Sequence, residues 1–182
     1  MSTGGKKIAV IGAGPAGYTA AQELSKNGYT VDIYDKEDRL GGAIYTGIPE
    51  YRMSKIFLDK VFASMKEDKN ITFHFNTKID CERFEGLRKN YDKVLVATGA
   101  QIENAYGFEP GNGLYAGLTL LYDLNIRGNH EYYKKYKKAM VWGGGNVAMD
   151  CARSLVRIID DVSVVYRRSE EEITANKSEI RD

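Results

Sequence analysis

Cysteine is nearly missing from this 182-residue chain: Cys81 and Cys151 lie far apart and neither belongs to a CxxC pair. That excludes a disulfide scaffold, a redox dithiol and a cysteine-bound iron–sulfur cluster within the segment. The two histidines, His74 and His130, are isolated, so no zinc-ligand spacing exists. No Ser-His-Asp set, HExxH or supported carboxylate pair is present. Neither sign of charge is in excess: 26 Lys plus Arg stand against 25 Asp plus Glu. There is therefore no global field for nucleic acid or an anionic membrane. The densest basic stretch, Lys134-Lys135-Tyr136-Lys137-Lys138, reads as a solvated linker. Residues Met1 to Lys7 are polar and lack the apolar core of a signal peptide. No apolar run approaches the ~20 residues that cross a bilayer. The expected setting is a soluble, reducing, cytoplasmic one.

Glycine, by contrast, is plentiful, and much of it falls in two patterns. Gly12-Ala13-Gly14-Pro15-Ala16-Gly17 follows the apolar run Lys7 to Ile11, precedes a helical stretch from Pro15 to Lys26, and is followed by the β-branched run Thr30 to Tyr34 ending at Asp35. Strand, glycine turn, helix and strand within about thirty residues form the context in which GxGxxG signals dinucleotide binding. In that motif the first glycine permits the tight turn, Gly14 lets a pyrophosphate approach the backbone, and Gly17 lets the helix sit close to the sheet. Pro15 suits the first helical turn, and the anion meets unpaired N–H groups at the helix start. Ala20, Ala21 and Leu24 are expected to face the sheet.

The second pattern, Gly143-Gly144-Gly145-Asn146-Val147-Ala148, sits between the strand Ala139 to Trp142 and a helix from Asn146 to Ile159. The next strand, Val162 to Tyr166, ends in Arg167-Arg168. An acid at that place accepts hydrogen bonds from a ribose 2′-hydroxyl, whereas guanidinium groups suit a 2′-phosphate. Asp35 thus points to an unphosphorylated dinucleotide and the arginines to a phosphorylated one: FAD with NADPH. Two alternatives stay open: Arg167 and Arg168 bridging to Glu170, Glu171 and Glu172, and Asn146 capping its helix rather than touching a cofactor.

Between the patterns, residues 40 to 49 form a glycine-rich turn. Ser54 to Asp68 carries Ile56, Phe57, Val61, Phe62 and Met65 at helical spacing. Strands are expected at Ile71 to Phe75 and at Val94 to Ala97, the latter running into Thr98-Gly99. A short helix is expected at Leu118 to Asn125. The fold class is α/β: a doubly wound parallel sheet, the Rossmann-like FAD-binding half, over residues 1–100. A connection follows over 101–138, then the start of an incomplete second Rossmann-like NADPH-binding unit over 139–182. Two whole dinucleotide-binding domains need more chain, so the sequence reads as the N-terminal piece of a longer protein or a truncated one.

Three stretches carry a family likeness. Gly41-Gly42-Ala43-Ile44-Tyr45-Thr46-Gly47-Ile48-Pro49-Glu50-Tyr51-Arg52 resembles the second FAD motif of the glutamate synthase small (β) subunit group, and Ala97-Thr98-Gly99 resembles the strand-end motif of two-dinucleotide flavoproteins. The stretch from Val141 to Arg153, with Val164 to Glu172, is similar to that group's NADPH signature; close relatives of the group include the N-terminal flavin module of dihydropyrimidine dehydrogenase. The resemblance implies FAD contacts from Ala13 to Gly17, Asp35, Lys36, Leu40, Gly41, Gly42, Ala43, Arg52 and the backbone near Ile79. It implies NADPH contacts from Gly144, Gly145, Asn146, Val147, Arg167 and Arg168. Three departures stand out. The chain starts a few residues before its first strand, where the family has a cysteine-rich cluster domain. Thr174 stands where proline is common, and the family's C-terminal return into the FAD domain is missing.

The implied reaction is hydride transfer between NADPH and FAD, with electrons passed to an iron–sulfur protein or larger subunit. A complementing C-terminal segment or chain is a further expected partner. Two alternatives remain: a non-catalytic nucleotide-binding or assembly module, and an adrenodoxin-reductase-like or ferredoxin-NADP reductase-like enzyme.

Overall fold

The structure, a computed structural model, describes residues 5–103 and 107–181; the first residues of the polar N-terminal stretch, 104–106 of the expected connection, and 182 lie outside it. The chain divides into two compact units, residues 1–45 with 53–100 and residues 46–52 with 101–182. The short segment 46–52 thus belongs to the second unit although its sequence lies inside the first.

Unit 1 is a four-stranded parallel sheet. Strands β1 (Lys7–Ile11), β2 (Thr30–Tyr34), β3 (Ile71–His74) and β4 (Lys93–Val96) run in the order β3-β2-β1-β4. The order reverses between β1 and β4, and ligands of such sheets bind at the carboxyl ends of the strands beside that reversal. Helix α1 (Pro15–Lys26) buries Gly17, Ala21 and Ser25, one stripe of small residues that brings it close to the sheet. Ala20 and Leu24 only flank that stripe, half-buried. Val10, Val31 and Ile33, each at most 1% exposed, fill the centre.

Helix α2 (Ala43–Thr46) is a single turn, and helix α3 (Lys55–Lys66) buries Leu58, Phe62 and Met65. Of the residues expected on its packed face, Ile56, Phe57 and Val61 are exposed instead. The i, i+4, i+7 row starting at 58 meets the core and turns the 57/61 row outward. Helix α4 (Cys81–Asn90) was not expected. It is polar, with only Leu87 buried, so its periodicity is faint; its signal is the cap, where Asp80 accepts from Arg83 N–H at 2.9 Å.

A buried carboxylate lies on this sheet. Asp32 in β2 accepts hydrogen bonds from Lys7 Nζ (2.7 Å) and Tyr91 Oη (2.9 Å) and faces His74 Nε2 at 2.7 Å. Burial alone raises such a carboxyl, but the bonds from Lys7, His74 and Tyr91 outweigh it and hold Asp32 below its ordinary value. A depressed folded value contributes stability that is present above the unfolded value, about 3.9, and is lost as pH falls through the folded one. Urea unfolding is therefore expected to show a larger loss between pH 6 and pH 3 for the parent than for Asp32→Asn. Equal losses would remove Asp32 as a source.

Unit 2 pairs β5 (Lys138–Trp142) in parallel with β6 (Asp161–Val165), crossed by α7 (Asn146–Leu155). Much of the stretch read as a connection is half of its core. Helix α5 (Gly117–Tyr122), a wide π turn over Asp123–Arg127 and the single-turn α6 (His130–Tyr133) bring Leu120, Leu121, Leu124 and Tyr133 against Val141, Cys151, Leu155 and Ile159. Buried Asp123 accepts from Tyr133 Oη at 2.8 Å and Asn129 Nδ2 at 2.9 Å, which ties the π turn to α6. A 3₁₀ turn (Glu170–Glu172) and helix α8 (Lys177–Arg181) complete the unit.

Candidate functional site

The same construction appears in each unit. β1 pairs Ile11 with Tyr34, and Gly12 N–H donates to Tyr34 O at 2.8 Å; β5 pairs Trp142 with Val165, and Gly143 N–H donates to Val165 O at 2.9 Å. Gly14 and Gly145 are the N-cap residues of α1 and α7, both extended. Neither helix has a side-chain cap at its N-cap residue or an acid in its first turn, so neither device offsets the positive dipole end there.

In the first turn the glycines answer to close approaches. Gly12 has φ +108°, and a Cβ there would lie 2.2 Å from Ala97 O at the end of β4. A Cβ on Gly17 would lie 1.8 Å from Gly12 O. Gly42 has φ +50°, and a Cβ on it would meet Gly14 Cα at 2.8 Å. Gly41 N–H donates to Ala13 O at 2.9 Å. The turns 12–17 and 40–43 therefore form one glycine-walled cradle of bare backbone.

Asp35 closes it: its carboxylate accepts from Ala13 N–H at 2.6 Å and Glu37 N–H at 2.8 Å, which fixes both oxygens at the end of β2. Lys36, Thr98 and Gly99 are exposed, Ala43 begins α2, and Ile79 is half-buried on the core. Leu40 is 1% exposed, so its side chain is core and only its backbone is available to a ligand. Arg52 does not stand in this unit. It belongs to unit 2, where Nη1 reaches both oxygens of Asp150 (2.9 and 2.7 Å) and Nη2 lies 2.9 Å from Glu179 Oε1. Burial pushes the Asp150 carboxyl up, and Arg52 opposes that shift.

In the second turn Gly144 lies under the ring of Tyr166: a Cβ would meet three ring carbons at 2.8–2.9 Å. Asn146 does not cap α7; its Oδ1 accepts from Asn176 N–H at 2.9 Å. Arg167 and Arg168 are exposed just past β6 and make no ion pair with Glu170–Glu172. Glu172 instead folds back on Ser169 N and Oγ (3.2 and 3.1 Å). Both guanidinium groups are thus available to an anion. Val147, 40% exposed, lines an apolar recess of about 900 Å³ with Phe108, Tyr115, Trp142 and Val165. Sequence reasoning missed this recess because its walls come from three separated stretches. Among the described residues no group of His, Cys, Asp and Glu suits a metal, and no helix is long and apolar enough to cross a membrane.

The sequence pattern of pyridine nucleotide-disulphide oxidoreductases matches residues 6–182. The chain belongs to that family. Its curated relatives include the β subunit of NADP(+)-dependent formate dehydrogenase from Moorella thermoacetica, 38% identical over 99% of this chain and 26% of that protein. The glutamate synthase [NADPH] small chain of Escherichia coli is 32% identical over 98% of this chain and 40% of its own length. The chain therefore spans well under half of the curated relatives it matches. Among solved structures, FprA from Mycobacterium tuberculosis superposes with a TM-score of 0.80 at 23% identity, covering 97% of this chain and 46% of that one. Thioredoxin reductase from Lactococcus lactis gives 0.63 at 17%, covering 97% and 60%. These two show the fold. Both cysteines are free thiols: Cys81 is exposed in unit 1, and Cys151 is buried in unit 2 with its thiol pushed up to about 12 by burial.

Proposed function

We propose that this chain is the cofactor-gripping part of an NADPH-linked flavin oxidoreductase. The first turn seats FAD, the second seats NADPH, and the assembled protein hands electrons to an iron–sulfur protein or larger subunit. The observation that carries the reading is the contrast between two matched turns, one closed by a fixed carboxylate at Asp35 and the other by two guanidinium groups, Arg167 and Arg168, that have no ion partner among the described residues. The donor sets fit the groups. The α1 N-terminus with Gly14 and Gly42 offers bare backbone to a pyrophosphate, and Asp35 offers lone pairs to a ribose diol. The α7 N-terminus and the arginines suit an additional 2′-phosphate. Relatives whose names include NADP(+) or NADPH, the formate dehydrogenase β subunit and the glutamate synthase small chain, support that choice.

Bound together, the flavin and nicotinamide rings supply the hydride chemistry themselves, so the protein's work is orientation and exclusion of water. The shortage of acid–base groups at either turn agrees with that division. The assignment of residues 1–100 to FAD and 139–182 to NADPH, and a cytoplasmic setting, are part of the same proposal.

A flavin-charged sample is expected to bleach anaerobically with NADPH, and more slowly with NADH; no bleaching in a full-length version would remove the enzyme reading. Asp35→Ala should lower flavin content at constant protein, as read by absorbance, while unchanged content would remove its ribose role.

A second reading is favoured by exposure of apolar strand residues. Leu95 and Val96 on β4, and Met140, Trp142, Val164 and Val165 on β5 and β6, are 39–72% exposed. Such strands suit a module that holds nucleotide but transfers electrons only with a complementing segment or chain. A colourless protein that still binds one nucleotide by calorimetry would favour it.

A further inference from the structure

After β6 the chain turns back across the second glycine turn. Thr174 Oγ1 (3.2 Å) and Ala175 N–H (2.9 Å) both donate to Gly144 O, and Asn176 N–H donates to Asn146 Oδ1. Those two oxygens are acceptors at the mouth of a turn built for an anion, where free acceptors would repel a pyrophosphate. The strap occupies both and leaves the Asn146 side chain its NH₂ group as a donor. The other end of the strap is held by charge. Glu179, 11% exposed at its side chain, meets Arg52 Nη2 at 2.9 Å and Arg153 Nη1; Arg52 also grips Asp150 of α7, whose side chain is 7% exposed. Tyr51 adds packing, with the Arg153 and Arg157 guanidinium groups over its ring at 4.8 and 4.0 Å. Helix α8 has five residues, too few to persist without such anchors.

We infer that Arg52, Asp150 and Glu179 are positioning residues for the dinucleotide of the second turn: they anchor residues 174–179 as a strap that silences Gly144 O and turns the Asn146 amide toward the pyrophosphate. This rests on the reading that the second turn seats NADPH, and it gives Arg52 a role other than the flavin contact the resemblance implies. It carries a signature. The pyrophosphate is common to NADPH and NADH, so loosening the strap weakens both equally, whereas loss of Arg168 weakens only NADPH.

Trp142, the chain's single tryptophan, immediately precedes Gly143, so its fluorescence is the readout, expected to fall on binding. In titrations of the 182-residue chain with NADPH and with NADH, Glu179→Gln and Arg52→Ala should each raise both dissociation constants by roughly tenfold, the scale of a charge-assisted hydrogen bond. Flavin content should stay unchanged. Arg52→Lys should rescue only in part, because one ammonium cannot grip Asp150 and Glu179 as the planar fork does. The double variant Arg52→Ala/Glu179→Gln should fall short of the product of the single effects. Circular dichroism and melting accompany each variant; should Arg52→Ala not fold, Glu179→Gln on the short terminal helix carries the test. Folded variants with parental affinities, or flavin loss from Arg52→Ala at unchanged NADPH affinity, would overturn the inference alone. A parent chain that binds neither NADPH nor NADH would overturn the functional reading and the inference with it.

Discussion

Gly17→Ala is expected to unfold at markedly lower temperature than the parent and to lose its flavin. Helix propensity alone predicts the opposite, since alanine is favoured over glycine by about 1 kcal/mol inside a helix. Here the added Cβ would stand 1.8 Å from Gly12 O and 3.0 Å from Gly12 C, both backbone atoms of the turn it must pack against. Helix and turn must then move apart, and overpacking of this kind costs roughly 1–3 kcal/mol or more. The movement also opens the cradle formed with Gly14, Gly41 and Gly42, so flavin content should fall further than stability alone explains. Gly86→Ala is the matching control. Gly86 lies in α4, and a Cβ there meets nothing within 4 Å. That variant should be as stable as the parent or gain up to about 1 kcal/mol. Thermal melting of the pair decides the point: if both variants melt alike, the helix-to-turn contact at Gly17 is not what the glycine is for.

The second large effect concerns the choice between phosphorylated and unphosphorylated nucleotides. Arg168→Ala should raise the dissociation constant for NADPH by about 1–3 kcal/mol in free-energy terms, roughly 5- to 150-fold, with the NADH value nearly unmoved. The physical basis is that neither Arg167 nor Arg168 has an ion partner among the described residues, while Glu172 is already engaged by Ser169. A guanidinium that must first leave a carboxylate would contribute less. The effect should shrink at high salt, because both side chains are exposed. Equal weakening of NADPH and NADH would show that the arginine does not read the phosphate.

The glycine turns were legible because their cause is local. Gly12 at φ +108° and Gly143 at φ +145° sit in backbone regions that side chains avoid, and such positions leave their mark in sequence. Strands β1, β2, β5 and β6 were legible for a similar reason, as short apolar or β-branched runs bounded by glycine or charge. What was not legible depended on partners distant in sequence. Apolar content at helical spacing points to Ile56, Phe57, Val61, Phe62 and Met65 on the packed face of α3; Phe62 and Met65 are buried there, joined by Leu58, while Ile56, Phe57 and Val61 are exposed. Spacing alone does not say which of two neighbouring rows faces inward. The stretch 101–138 looked like a connection because glycines punctuate it, although Leu120, Leu121 and Leu124 pack on Val141 and Leu155. Arg52 is the sharpest case. Its neighbours in sequence point to a flavin loop, while its ion partners, Asp150 and Glu179, lie about a hundred residues or more downstream.

The central claim is that one chain carries two dinucleotide seats of unlike preference, and the most direct test is a pair of titrations on the same sample. With FAD bound, adding NADPH should quench Trp142 in a saturable way without releasing flavin, NADPH should bind more tightly than NADH, and FAD added to the NADPH-loaded chain should bind equally well. Competition between FAD and NADPH for one seat, or equal affinity for NADPH and NADH, would contradict the account.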